Sequence, residues 1–221
     1  MLALLPGCLT APPDAIGGDG GLSDGGKLSD GATGCTKIVE DDFGNDGIWF
    51  SSTTGSGELG RFDDRVEISI VPVTEPGYVE LTSLEQRPIE GTRVEATLVV
   101  DRSDAGNVSI AFDGTSSGAG YYEIAISNGV VEAVRDDGSR RLLCAGQCPA
   151  YARDLHQRFR LRARQDRVHY ESWDGELWTE LVPSQAGSPA DFTVSMKAIG
   201  EEGEGVIDAL LSELTWQECA E

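Results

Sequence analysis

The sequence is short of positive charge, of aromatic rings and of long apolar runs. Its 17 Lys and Arg stand against 38 Asp and Glu, a formal charge of -21. Such a chain repels a phosphate backbone, which excludes nucleic acid as a general partner. Uninterrupted apolar runs reach roughly five residues, whereas a membrane-crossing helix needs about 20. Histidine occurs twice, and no G-x-S-x-G, H-E-x-x-H or phosphate-binding glycine loop is present. These absences remove the common motifs of serine hydrolases, zinc proteases and nucleotide-binding enzymes. The length of 221 residues fits one domain with a tail.

The chain opens MLALLPGC, with Gly7 directly before Cys8 and Leu5 three positions ahead of it. This string resembles a bacterial lipobox. The resemblance implies that Cys8 receives a diacylglycerol and becomes the acylated amino terminus, with residues 1–7 the remnant of a signal peptide that carries no Lys or Arg. Residue nine is Leu, not the Asp that favours inner-membrane retention, so the implied location is the outer membrane or cell surface of a bacterial envelope. From Thr10 to Gly34 the composition turns to Gly, Asp, Ser and Pro with little to bury, as expected of a disordered tether over residues 8–34. Twenty-five Gly-rich residues reach about 25–30 Å end to end.

Residues 35–221 alternate apolar and polar positions in short runs bounded by Gly, Asn, Asp or Pro, the period of half-buried strands. A dozen such runs, from TKIVEDDF to GVIDALLSELTW, predict an all-β sandwich or jelly roll of two antiparallel sheets. PAYARDLHQ and the chain end are the stretches that read as helical. Asn128-Gly129 and Asp174-Gly175 are written as hairpin turns.

With Cys8 assigned to lipid, Cys35, Cys144, Cys148 and Cys219 remain, an even set that fits an exported, oxidised domain. Four cysteines allow three connectivities. First and last strands commonly adjoin in jelly rolls, which favours Cys35 with Cys219 and leaves Cys144 with Cys148 as a local loop. A zinc site is the rival, but the two close cysteines have three residues between them and histidines are few.

Taken in order, EDDF at 40–43, GYYEIAISNG at 120–129, RFRLRAR at 158–164, VHYESWDGELW at 168–178 and the last strand IDALLSELTW are similar to bacterial concanavalin A-like lectin/glucanase domains. The resemblance covers most of residues 36–218 and implies two curved sheets whose concave face binds glycans in some members and cleaves them in others. Glucanases of that family carry E-I-D-I-x-E on one strand, which sets three carboxyls on one face. Here the string is Glu123-Ile124-Ala125-Ile126-Ser127, with the other two carboxylates missing. Retaining hydrolysis needs two carboxyls about 5–5.5 Å apart. A non-catalytic module is therefore expected, with a hydrolase of displaced acids, or a structural domain without ligand, as alternatives. ESWDGELW also resembles the Asp box of sialidases, a fold device in which Asp174 caps turn amides and Gly175 takes positive φ.

Nine of the 17 basic residues fall between Arg135 and Arg167, among four acids. Alternation sends Phe159, Leu161 and Ala163 inward and Arg160, Arg162 and Arg164 outward, with His169, Glu171 and Trp173 facing out on the returning strand. Either the stripe balances Glu171 across one hairpin, or it forms a cationic, aromatic-bearing face for an anionic glycan. Tyr121 and Glu123 are read onto that same open face, completing a candidate glycan-binding set. Trp49, Trp178 and Trp216 read as core. No cofactor is expected beyond a structural calcium, for which Asp41, Asp42 and Asp208 are the available oxygen ligands.

Overall fold

The computed structural model describes residues 34–71, 75–103, 106–115, 120–152, 157–187, 190–200 and 206–219. They lie within Thr33–Glu221, the second of two units into which the chain divides. Cys8 and the predicted tether lie outside the described residues. Seventeen strands and no helix occur among those described. The first sheet runs β14 (Trp178–Glu180), β13 (Arg167–Trp173), β12 (Gln157–Arg164), β7 (Thr92–Ser103), β17 (Ile207–Cys219), β4 (Arg65–Ile70), β3 (Gly57–Arg61), with β1 (Cys35–Glu40) also on β17 and β15 (Gln185–Ala186) on β13. The second runs β11 (Arg140–Leu142), β10 (Val130–Asp136), β9 (Tyr121–Ser127), β8 (Asn107–Gly114), β16 (Asp191–Gly200), β5 (Gly77–Ser83), β2 (Trp49–Thr54), with β6 (Arg87–Pro88) on β16. Every pairing is antiparallel.

The core is the layer between the sheets, because alternate residues of each strand meet there. Leu98, Phe159, Leu161, Tyr170 and Trp216 enter it from the first sheet, and Ile110, Tyr122, Ile124, Ile126 and Met196 from the second. Burying each such side chain stabilises the fold by about 1.5–3 kcal/mol. Tyr122 and Tyr170 satisfy their hydroxyls on the carbonyls of Ala186 and Val134.

Both disulfides form as the sequence reading paired them. β1 lies beside the end of β17 with Cys35 directly opposite Cys219, and Cys144 joins Cys148. Gly91 sits against this junction at φ +71°, where a Cβ would meet the Cys219 carbonyl oxygen at 2.7 Å. The two written turns are also present: Asn128 and Gly129 both take positive φ, and Asp174 Oδ1 accepts the amides of Glu176 at 2.9 Å and Leu177 at 2.7 Å.

The helical expectations are corrected. The chain end is β17, and the described part of PAYARDLHQ is extended, because Val131 donates to Pro149 and Tyr151 donates to Gly129. The Tyr151 ring is buried, with its hydroxyl on the backbone of Val100 and Leu98. An edge of the second sheet thus takes up the hydrogen bonds a helix would have kept to itself.

Candidate functional site

Arg160, Arg162, Arg164 and Trp173 project outward from the first sheet, as alternation requires. The guanidiniums of Arg160 and Arg162 are engaged locally. Glu171, opposite Arg160, accepts Arg160 Nε at 2.7 Å and Arg162 Nη2 at 3.1 Å. Arg160 is only 4% exposed and its guanidinium lies 4.1 Å over the Trp178 ring, which stands 5.4 Å from Trp173. Trp178 is therefore an outer-face residue and not core, whereas Trp49 and Trp216 are core. On the same strand, Arg158 meets Glu95 of the neighbouring β7 at 2.5 Å. Burial, followed by the neighbouring Arg160, Arg164 and Arg93, lowers the Arg162 pKa despite the pull of Glu171. Of the stripe, Arg164 alone is fully exposed.

Tyr121 and Glu123 point outward from β9, which belongs to the second sheet. The expectation that they share a face with Trp173 and Arg162 is corrected: the two sets lie on opposite faces of the sandwich. Their directly paired neighbours define a second face. One row across it reads Phe50, Thr82, Ser195, Ala111, Glu123, Val134, Leu142, and the next reads Ser52, Glu80, Lys197, Ser109, Ala125, Glu132. Beside them lie Thr193, Asp113, Tyr121, Asp136 and Arg140. From β2 to β11 the face spans about 29 Å at ~4.8 Å per strand.

The middle of this face is a floor of small side chains, and its ends are apolar and exposed. Ser109, Ala111, Ala125 and Ser195 are buried although no second sheet covers them, while Phe50 at one end is 58% exposed. The register explains the burial. Lys197 pairs with Ser109 yet its ammonium reaches Asp113 at 2.7 Å, so its stem crosses the intervening Ser195–Ala111 pair. The same ammonium meets Glu80 at 3.3 Å and lies 4.9 Å over the Tyr121 ring. Burial lowers the Lys197 pKa, but the Asp113 hydrogen bond and the charges of Asp113 and Glu80 outweigh it and hold the group above its ordinary value. Burial, then the charge and hydrogen bond of Glu123, push the Tyr121 phenol well up. Glu123 and Glu132 each lie 3.8 Å from Arg140 Nη2, so their nearest oxygens are separated by no more than twice that. Among the described residues, the buried Ser195 and Thr82 hydroxyls, on directly opposed residues, have no hydrogen-bond partner.

Lys197, Arg140, Glu132, Asp113 and Glu80 escaped the sequence reading. Their signal was the alternation of β5, β8, β10, β11 and β16 itself, readable only once those strands are known to share a sheet with β9. The calcium candidates do not converge. Asp41 donates its amide to Leu214, six residues along β17 from Asp208, or about 20 Å at ~3.3 Å per residue. Asp208 accepts from Ser69 at 3.0 Å in a groove of about 630 Å³ shared with Glu58 and Glu67. No group of three metal-ligating side chains occurs among the described residues.

No protein-family model matches the chain, and no curated protein is similar to it in sequence. Solved structures share its fold. An endo-acting O-glycanase of the human gut microbiota that initiates mucin breakdown superposes with a TM-score of 0.63 at 9% identity, over 84% of this chain and 100% of that one. A pseudo β-1,3-glucanase and immunostimulatory antigen of Mycobacterium tuberculosis gives 0.57 at 10%, over 84% and 99%. The CBM2 module of the evolved Dit protein of Lactobacillus casei BL23 phage J-1 gives 0.55 at 11%, over 84% and 96%. The architecture is thus the concanavalin A-like, glucanase-type jelly roll. At these identities the likeness is one of fold.

Proposed function

We propose that this chain is a non-catalytic glycan-binding module of a bacterial cell envelope, carried on a lipid at Cys8, with the outer face of the second sheet as its ligand face. One observation carries the binding reading: a strip about 29 Å long with a polar floor, convergent charged groups and the exposed Phe50 and Leu142 at its ends. Aromatic and apolar surface with a few placed polar groups is what sugar rings require. The nature of the solved structures with this fold, two of them described by glycan chemistry, is consistent with it. Arg158, Arg160 and Arg162 of the first sheet, by contrast, pair with Glu95 and Glu171, which favours the internal-balance reading of the Arg stripe.

The sequence of β9 supports the non-catalytic reading. Its outward positions are Glu123, Ala125 and Ser127, one carboxylate where the glucanase pattern needs more. Glu132, on the neighbouring strand, brings a second carboxyl within reach, but Arg140 lies 3.8 Å from each of the two and is placed to pair with both.

Calorimetry against neutral, acidic and amino-sugar oligosaccharides tests the reading. The wild type should bind at least one class, and Phe50→Ala should bind it more weakly with unchanged unfolding, because its side chain is exposed. Reducing ends should not accumulate when polysaccharides are incubated with the protein. Absence of binding to every class would leave a structural domain without ligand.

A further inference from the structure

The middle of the second-sheet face is closed by two side chains. Lys197 runs along β16 over Ser195 and the paired Ala111, and its ammonium reaches Asp113 at 2.7 Å and Glu80 at 3.3 Å. Tyr121 comes from the far side of β8. It pairs with Asp113, its phenol hydrogen-bonds Glu123, and its ring centre lies 4.9 Å from the same ammonium. Two observations set this clasp apart from a permanent cover. Beneath it, Ser195 is 0% exposed, faces outward by alternation, and its hydroxyl has no hydrogen-bond partner. A buried hydroxyl left unpaired costs stability, so the closed arrangement gains nothing from a Ser at this position. The cover is also weakly held. The Asp113 and Glu80 side chains are 35% and 22% exposed, and water competes for both charges of an ion pair at such depth. Lys197 carries its charge on a flexible four-carbon stem, which takes up other rotamers once released.

We propose that Lys197 and Tyr121 gate the ligand face, which is closed in this structure, and that a neutral sugar ring seats on Thr82, Ser195 and Ala111 once Lys197 swings off them; the inference rests on the glycan-binding reading above. These three residues lie side by side on β5, β16 and β8, a floor about 10 Å across at ~4.8 Å per strand. The floor carries hydroxyls and methyl groups and no charge. Hydroxyls of a neutral ring donate to and accept from those of Ser195 and Thr82, both unpartnered here, and its C–H face packs on the methyl groups. A carboxylate or sulfate on the ring meets Asp113, Glu80 and Glu123 around the seat and a chain of -21 overall. Lys197 thereby controls access to the seat without being part of it.

The test measures binding of β-1,3-linked and β-1,4-linked glucose tetramers and a β-1,4-linked N-acetylglucosamine tetramer by calorimetry, with circular dichroism to check the fold of each variant. Lys197→Ala should bind at least one tetramer about tenfold tighter than the wild type, the factor lost when the open form makes up a tenth of the population. Asp113→Asn should give a smaller gain, because Glu80 still holds the ammonium. Salt screens the clasp and leaves a neutral ligand untouched. Wild-type affinity should therefore rise with added salt, and that of Lys197→Ala should not. Adding Ser195→Ala to Lys197→Ala should remove most of the gain, since the seat loses its hydroxyl. A gain in affinity on deleting a side chain separates a gate from a ligand contact or a damaged fold. Equal or weaker binding by Lys197→Ala, or a gain that Ser195→Ala leaves intact, overturns the proposal while the glycan-binding reading stands. Absence of binding by both wild type and Lys197→Ala, to these tetramers and to acidic and amino-sugar oligosaccharides, overturns both.

Discussion

Arg160 illustrates how a single side chain can be outward-facing and yet internal. It leaves the sheet on the solvent side, but Glu171 and the Trp178 ring enclose it, so its charge depends on that carboxylate. Glu171→Gln should cost roughly 3 kcal/mol, the low end for breaking a buried pair, since Trp178 remains. Arg162→Gln should cost less, as Arg162 is the more exposed and more distant partner. Urea unfolding of the two variants gives the order, and a reversed order would refute the assignment of Arg160 as the principal partner. Asp174 has a different dependence. Hydrogen bonds from the Leu177 and Glu176 amides hold its pKa below the ordinary 3.8. A depressed carboxylate pKa stabilises the fold above the unfolded value, and that contribution is lost as pH falls through the folded one. The stability of Asp174→Ala should therefore lie below wild type at neutral pH and converge on it as the solution becomes more acid than the normal Asp range.

At the scale of elements, the long disulfide matters more than the short one. Cys35 and Cys219 are 184 positions apart and Cys144 and Cys148 only 4. Loop-closure entropy then assigns about 5 kcal/mol to the first and about 2 to the second. Replacing the first pair by serine should lower the thermal midpoint much more than replacing the second, a comparison that calorimetry makes directly. The same pair shows what the sequence could disclose: Trp216 read as core, and the habit of first and last strands lying side by side in jelly rolls paired the cysteines that they carry. Alternation also gave the correct outward sets on β9 and β12. It did not disclose that these strands belong to different sheets, because a period of two fixes in and out but not the pairing partner. β12 pairs with β7, some sixty residues earlier, while β9 pairs with the adjacent β8. β2 and β3 escaped for a local reason. WFSSTT offers one inward bulky residue, Trp49, and GELGR has two glycines, so neither shows the apolar alternation that marks a half-buried strand.

For the molecule as a whole, the proposed envelope location requires something to hold so acidic a chain at a surface. A net charge of -21 is repelled by anionic headgroups, and the acids outnumber the bases in residues 8–34 as well. Electrostatics therefore cannot attach it, and attachment has to be apolar or covalent. LPGC supplies a covalent route: acyl chains on Cys8 contribute about 0.8 kcal/mol per buried methylene, and two or more give stable anchoring where one gives marginal binding. Expressed behind a complete signal sequence, the full-length protein should partition into the detergent phase, and the mass of its amino-terminal peptide should exceed that of the bare sequence by the acyl groups. Cys8→Ser should move it to the aqueous phase while both disulfides still form, because neither involves residue 8. An unchanged partition for Cys8→Ser, or an unmodified Cys8 in the wild-type peptide, would show that the chain reaches its surface by some route other than this cysteine.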